Sequence, residues 1–341
     1  MKTKSTYVEG ILKPGDWDSR GKASGPDHQA PGSLQSKTAQ RSMRSRREPS
    51  IPIPKSFPMP ISPDDVRPPV CAGRFYPSDP SELEGLVTRL MDAAERTATA
   101  DSITALLAPH AGYAFSGPTA AVAFKQVSGG SFDTVFVLSP SHYETFQGVS
   151  LFPGIAYETP LGTVPIDLKR AEALAAAAPD LIRTDEIGHR QEHGVEVELP
   201  FLQMAIKSGW KLLPLVMGSQ SARACHHLSD AILATGYGGS TLIVASSDLY
   251  HGYSYEACHA SDHRTLEAVE RLDPDAFLIG LESASYQACG GGPIAVASLL
   301  AQKSGGRQAH LLAHTTSADV TGKHDGYVVG YGAAVFGRLS P

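Results

Sequence analysis

Three segments of this chain share one design, and that design restricts the possible folds more than any other feature. Each is a short apolar run that breaks abruptly into a cluster holding a histidine. Ile103–Ala108 leads into Pro109, His110, Ala111, Gly112 and Tyr113. Thr134–Leu138 leads into Ser139, Pro140, Ser141, His142 and Tyr143. Thr241–Ala245 leads into Ser246, Ser247, Asp248, Leu249, Tyr250 and His251. Runs of this length, rich in Val, Ile and Leu and bounded by turn residues, read as buried strands. In an open α/β sheet, ligands and reacting groups collect beyond the C-terminal ends of the strands. The repeat therefore predicts that distant parts of the chain deliver histidines to one crevice.

The intervening sequence supports such a sheet. Asp79-Pro80-Ser81-Glu82 has a capping aspartate, a proline suited to the first helical position and a carboxylate at the capping-box position. Leu83, Leu86, Val87, Leu90 and Met91 then follow helical spacing. Further helices are expected over Pro118–Lys125, Asp167–Ala178, His193–Lys207 (with Pro200 as a kink or restart), Ala222–Thr235, Tyr255–Leu272 and Pro293–Gln302. Leu212–Met217 is another expected strand, and Ala309–His314 with Gly326–Phe336 an expected terminal strand pair. Strand–helix alternation along residues 65–341 implies a single α/β domain with a central, mostly parallel sheet flanked by helices.

Composition narrows the class. Of 341 residues, 42% are hydrophobic and 19% charged, enough apolar material for a globular core. No apolar run approaches the roughly 18 residues of a membrane span, and no secretory signal is evident. The four cysteines show no paired spacing, so a reducing, cytoplasmic setting is expected rather than a disulfide framework. Residues 1–64 carry eleven Lys/Arg against six Asp/Glu, so the remainder holds a net charge of −11 against −6 for the whole chain. An acidic folded part argues against nucleic acid as a partner. The first 64 residues, Pro- and Ser-rich with a basic cluster at Arg41–Arg47, read as a disordered tail.

Four clusters carry candidate chemistry. His110 and His142 sit at strand ends, where two imidazoles can converge on a transition metal or simply bond loop backbone. His189-Arg190-Gln191-Glu192-His193-Gly194-Val195-Glu196 is the densest polar stretch of the folded part. On a helix, His193 and Glu196 share a face and could line a site, orient a metal-bound histidine or cap the helix. Asp248 and His251 suit acid–base work, or are a turn residue and a surface group. Cys289, in Gln287-Ala288-Cys289-Gly290-Gly291-Gly292-Pro293, stands just before an expected helix, where thiol pKa values tend to fall. It reads as a soft ligand, a nucleophile or a small buried residue. His226, His227, His259, His263, His310, His314 and His324 fall on expected helix surfaces or late strands and loops, with no assigned role.

Taken together, the motifs resemble the MEMO family, called AmmeMemoRadiSam system protein B in bacteria and archaea. The match rests on Arg67-Pro68-Pro69, Ala72-Gly73-Arg74-Phe75-Tyr76-Pro77, Ala108–Tyr113, Ser139-Pro140-Ser141-His142, Glu192–Glu196, Leu199-Pro200-Phe201, Ser246-Ser247-Asp248 with His251, and Cys289-Gly290, in family order over about residues 66–338. The resemblance implies a fold like the catalytic subunit of class III extradiol dioxygenases, non-haem Fe(II) enzymes with a two-histidine, one-carboxylate ligand set. It implies His110, His142 and Cys289 as ligands of Fe(II) or copper, with Cys289 standing where the carboxylate would be. It places His251 near the acid–base position, with Asp248 and His193 beside it. It also implies AMMECR-type and radical SAM proteins as partners. A thiolate is softer than a carboxylate and oxidisable, so ring cleavage does not follow from the fold. The expected function is a metal-binding, redox-type protein. The alternatives are a non-catalytic adaptor taking a peptide or small molecule in the same crevice, and a cysteine-nucleophile hydrolase.

Overall fold

The computed structural model describes residues 65–97, 100–238 and 240–339. The basic, proline-rich segment 1–64 lies outside the described residues. The chain opens with β1 (Val66–Arg67), α1 (Pro80–Ala93), β2 (Ala100–Ala108), α2 (Tyr113–Lys125) and β3 (Thr134–Pro140). Three short strands follow, β4 (Val149–Leu151), β5 (Ala156–Thr159) and β6 (Gly162–Pro165), then α3 (Leu168–Ala177) and β7 (Ile182–Thr184). A single 3₁₀ turn at Glu196–Glu198 leads into α4 (Leu199–Ala205), β8 (Lys211–Met217), α5 (Ala222–Ala234) and β9 (Thr241–Ser246). The remainder is β10 (His251–Gly252), α6 (Tyr255–Glu270), α7 (Pro274–Glu282), α8 (Gly291–Lys303), β11 (Ala309–Thr316), α9 (Ser317–Thr321) and β12 (Val328–Leu339).

The main sheet runs β10-β12-β2-β9-β3-β8-β4-β7, with β11 on β12. Its centre is parallel: β2 pairs β9, β9 pairs β3 and β3 pairs β8 in that sense. The flanks are mixed, since β12 is antiparallel to β2 and β4 to β8. The expected mostly parallel sheet thus describes the centre, and the antiparallel pairs sit at its margins. A separate small sheet joins β1, β5 and β6.

The central strands are buried on both faces, as their continuous apolar runs require. Alternate residues feed two cores. Leu106, Ala108, Val135, Val137, Leu242 and Val244 face a layer built from α1, α2 and α4. Ala105, Leu107, Phe136, Leu138, Ile243 and Ala245 face a layer from α3, α5, α6, α7 and α8. This is a three-layer α/β/α arrangement.

Several helix boundaries differ from the sequence-based expectation. α2 starts at Tyr113, not Pro118, because burial of Tyr113 holds that turn: its hydroxyl donates to Val197 O at 2.6 Å and its ring packs on Phe201. The expected helix over His193–Lys207 forms only from Leu199, with Pro200 in its first turn, where the missing N–H costs nothing. His193 therefore lies in irregular backbone, not on a helix face. The expected helix Tyr255–Leu272 stops at Glu270, and a new one starts at Pro274, capped by Asp273 accepting from Ala276 N. α8 starts two residues before Pro293. Strands β4 to β7 are too short to show a period in sequence.

Candidate metal centre

In the sheet β9 lies between β2 and β3, so three neighbouring parallel strands end on one edge. Their C-terminal ends supply His110, Ser246 and His142. The Cys289 turn comes over the same edge from the start of α8. Its backbone is fitted to β9: Cys289 N donates to Asp248 O, and Gly290 N to Ser247 Oγ at 2.8 Å. A Cβ at Gly290 would meet Ser246 O and Ser247 Cβ at 2.5 and 2.7 Å, so only glycine permits this approach.

Cys289 Sγ lies 3.1 Å from His110 Nε2. The ligand atoms of His110, His142 and Cys289 all lie within 4.8 Å of one another, and the rings of His110 and His142 meet edge-on at 5.0 Å. A second trio, His142, Glu192 and His193, meets the same distance. Its carboxylate is already committed. Glu192 Oε1 takes His142 Nδ1 at 2.8 Å and the N–H groups of His193 and Gly194 at 2.9 Å, and Oε2 takes His142 N at 2.7 Å. Glu192 is thus an orienting group, and the first trio is the candidate metal centre.

Each imidazole is held by its Nδ1. Glu192 holds His142, and Ser246 Oγ holds His110 at 2.8 Å. Ser246 Oγ also lies 2.6 Å from Gly194 O and 2.8 Å from Glu198 Oε1. A hydroxyl has one proton to give. Glu198 is fully buried, and burial, with Asp248 repelling it and Ser246 opposing the shift, holds its carboxyl well above the usual range. The Ser246 hydroxyl gives its one proton to Gly194 O or Glu198 Oε1, and so accepts from His110 Nδ1–H. That leaves the His110 Nε2 lone pair facing Cys289.

The electrostatics favour one positive charge here. Burial pushes His142 down, but hydrogen bonds with Cys289 and Glu192 outweigh it and lift the imidazole to about 10. Burial raises Glu192, yet His142 and its backbone donors bring it to about 2. Burial and neighbouring His142 push His110 well below its ordinary value. His193 falls to about 4, from burial against the opposing pull of Glu192. Two imidazoles and a thiol around a point that favours positive charge fit a borderline or soft transition cation.

The remaining expected residues divide. His193 is at the site: its ring lies 4.5 Å from that of His142 and 5.1 Å from that of His110, against Phe75. Asp248 is buried, with Oδ1 accepting His110 N at 2.9 Å, and burial raises its pKa. His251 is exposed, its Nδ1 3.1 Å from Leu249 O. With Cys289, Gln220, Leu249, Tyr286 and Gln287 it lines a cleft of about 510 Å³. Glu196 does not line the site. Its carboxylate takes Arg67 Nη1 at 2.6 Å, the N–H groups of Val70 and Cys71, and the Tyr76 hydroxyl.

Glu192 stood in the polar cluster without a role, and Ser246 and Glu198 carried no expectation. Ser246 follows an apolar run directly, the one cue that it ends a central strand. Glu198, an acid inside Val197–Leu202, signals burial only through its apolar neighbours. The glycine turn offers no free donor pair for an oxyanion: Gly290 N bonds Ser247, Gly291 N bonds Ala288 O and Gly292 N bonds Gln220 Oε1. That removes the one oxyanion motif open to a cysteine hydrolase. The four cysteines are free, and among the described residues no helix is long and apolar enough to cross a membrane.

Comparison with known proteins agrees with the fold. A Memo-like protein family model matches residues 67–335. A MEMO1 family protein of Nitrosopumilus maritimus is 32% identical over 275 residues, 80% of this chain and 99% of that protein. One from Methanosarcina acetivorans is 34% identical over 273 residues, 80% of this chain and 99% of its own length. One from Saccharolobus islandicus is 36% identical over 282 residues, 79% of this chain and 98% of its own. With nearly the whole described part of the chain matched, it belongs to the Memo family.

Proposed function

We propose that the protein is a metal-binding, redox-type protein whose centre is held by His110, His142 and Cys289 and takes Fe(II) or copper. The observation that carries this reading is the close set of two imidazoles and a thiol, each imidazole fixed by a hydrogen bond at Nδ1. When bound, such an ion supplies one-electron chemistry and a Lewis acid. The chain supplies the rest. Glu192 holds His142 and raises its basicity, as an orienting carboxylate does. Ser246, backed by Glu198, keeps His110 in the tautomer with Nε2 free. Asp248 anchors the backbone of His110 and, through its own N–H, bonds Cys289 Sγ at 3.2 Å. In this reading it acts as a positioning group. His251 donates Nδ1–H to Leu249 O and lines the cleft beside Cys289, the position of an acid–base residue at a substrate entrance. His193, buried and low in pKa, serves as a neutral partner beside the centre.

The test is elemental analysis of anaerobically purified protein. Near one iron or copper per chain is expected in the wild type, and its loss in His110→Ala and Cys289→Ala. Metal content unchanged by both variants, or absent throughout, removes the reading. The cleft beside Cys289 supports a second reading, a non-catalytic binding module for a peptide or small molecule. Partner binding that survives complete metal removal favours it.

A further inference from the structure

A charged side chain stands beside the centre with no acid to balance it. Arg74 lies in the turn formed by residues 70–76, which the fold holds tightly. Glu196 takes the N–H groups of Val70 and Cys71, Arg74 N donates to Cys71 O, and Gly73 N donates to Tyr76 O. Tyr113 N donates to Phe75 O at 2.8 Å, which ties the turn to the segment that carries His110. The Phe75 ring then packs on His193 at 4.7 Å, and His193 lies against His110 and His142.

Tyr143, the residue after His142, meets the same imidazole edge-on at 5.8 Å. Tyr143 is 52% exposed, and its hydroxyl makes no hydrogen bond among the described residues. His193 thus touches both Phe75 and Tyr143, and Arg74 and Tyr143 are the solvent-facing members of the group. None of these residues lines the cleft beside Cys289, so the group marks a second approach to the centre.

Arg74 donates Nη2–H to Val70 O at 2.7 Å and has no carboxylate partner among the described residues. The neighbouring acids are taken: Glu196 pairs with Arg67, and Glu192 with His142. The Arg74 charge acts on the rings of the group. Burial is the main cause of the fall of His193, and Arg74 adds to it. Burial likewise leads the rise of Tyr143, which Arg74 opposes. The remaining N–H groups of the guanidinium are free to donate, and a planar fork of that kind matches a carboxylate. A phenol hydroxyl on the same approach supplies one further donor.

We propose that Arg74 and Tyr143 form an anion subsite at this second approach, which takes the carboxylate of a small molecule whose remainder lies against the rings of Phe75, Tyr143 and His193. The inference rests on the reading of the centre as a functional site and names the charge of what that site receives.

Calorimetric titration of the full chain with benzoate and with benzamide, its uncharged counterpart of similar shape, tests this. Benzoate is expected to bind, and benzamide to bind at least tenfold more weakly. Arg74→Gln is expected to weaken benzoate by about tenfold or more, as loss of a hydrogen bond to a charged group does, and to leave benzamide unchanged. Arg74→Lys keeps the charge without the fork and is expected to fall between. Arg89→Gln, at an exposed arginine on α1, is expected to change neither. Equal binding of the two probes, no binding of benzoate, or a benzoate affinity that survives Arg74→Gln overturns the proposal. Inorganic phosphate that displaces benzoate and binds more tightly overturns the assignment of a carboxylate. Iron and copper are measured in the same samples. Their absence counts against the proposed metal centre, whereas equal binding of both probes by metal-loaded protein counts against the anion subsite alone.

Discussion

At the scale of single residues, the candidate centre is shaped by groups outside the trio of His110, His142 and Cys289. Glu192 is the clearest. It accepts four donors, two of them from His142, and stays ionised because those donors outweigh its burial. Glu192→Gln keeps the shape but removes the charge that holds His142. Loss of an orienting carboxylate typically costs 10–100-fold in metal affinity. Competition with a chelator is expected to show a fall of that size, and equal affinity would show that Glu192 only fills space. Glu198 makes the opposite prediction. Its folded pKa is raised, so the unfolded chain releases this proton near pH 4.3 while the folded chain keeps it. The stability tied to that proton is complete below about pH 4.3 and is lost as pH rises above it, by at most about 1.4 kcal/mol per unit. Glu198→Gln, which cannot ionise, removes that slope. Urea unfolding from pH 4 to 8 checks it, and parallel curves for both proteins would contradict a neutral Glu198.

At the scale of elements, the site is an edge where three strands stop and one helix starts. The strands were legible in sequence because central parallel strands must be apolar on both faces. Their order was not: β9, last of the three in the chain, lies between the other two, and only the sheet shows that Ser246 therefore stands between the two histidines. The helix start is governed by glycine. Gly290→Ala forces a Cβ against β9, where Ser246 O and Ser247 Cβ leave no room. Overpacking of this kind costs about 1–3 kcal/mol. It is expected to lower the unfolding midpoint and, by shifting the Cys289 turn, to weaken metal uptake more than it weakens the fold. A variant with wild-type affinity and stability would show that the turn yields freely. The polar stretch from His189 shows how an element can mislead. Its spacing suits a helix, yet Glu192, His193 and Gly194 spend their N–H groups and side chains on the site, and regular helix waits until Leu199.

At the scale of the whole molecule, the start of the described chain straps the site segment down. Arg67 on β1 donates to His189 O and Glu192 O, each at 2.6 Å, pairs with Glu196 and lies 4.7 Å over the Tyr157 ring. Glu196 also gathers the backbone of Val70 and Cys71 and the Tyr76 hydroxyl. Removing one partner of a buried pair leaves the other charged and unpaired, at about 3–5 kcal/mol. Glu196→Ala is expected to destabilise by that amount in urea unfolding and to loosen the Glu192 loop. A loss under about 1 kcal/mol would mean that water or another group replaces the carboxylate.

The sequence by itself determined the class of fold, the strands that end at the site and two of the three strand-end histidines that meet there, while His251 of the third stands exposed at the cleft. These depend on local rules: apolar runs make buried strands, caps and prolines start helices, and histidines at strand ends converge in an α/β sheet. The family motifs added Cys289, which no period or spacing links to the histidines. What only the tertiary structure decided is the division of labour among the polar residues. Glu192, Glu196 and Glu198 alternate within seven residues and are chemically alike in sequence. Folding sends them to three different partners: a carboxylate lowered in pKa on His142, a counter-ion for Arg67 and a buried acid raised in pKa on Ser246. Those partners lie up to 129 residues away along the chain. Burial and the charge of each partner set the protonation of each acid, and neither is a property of the local sequence.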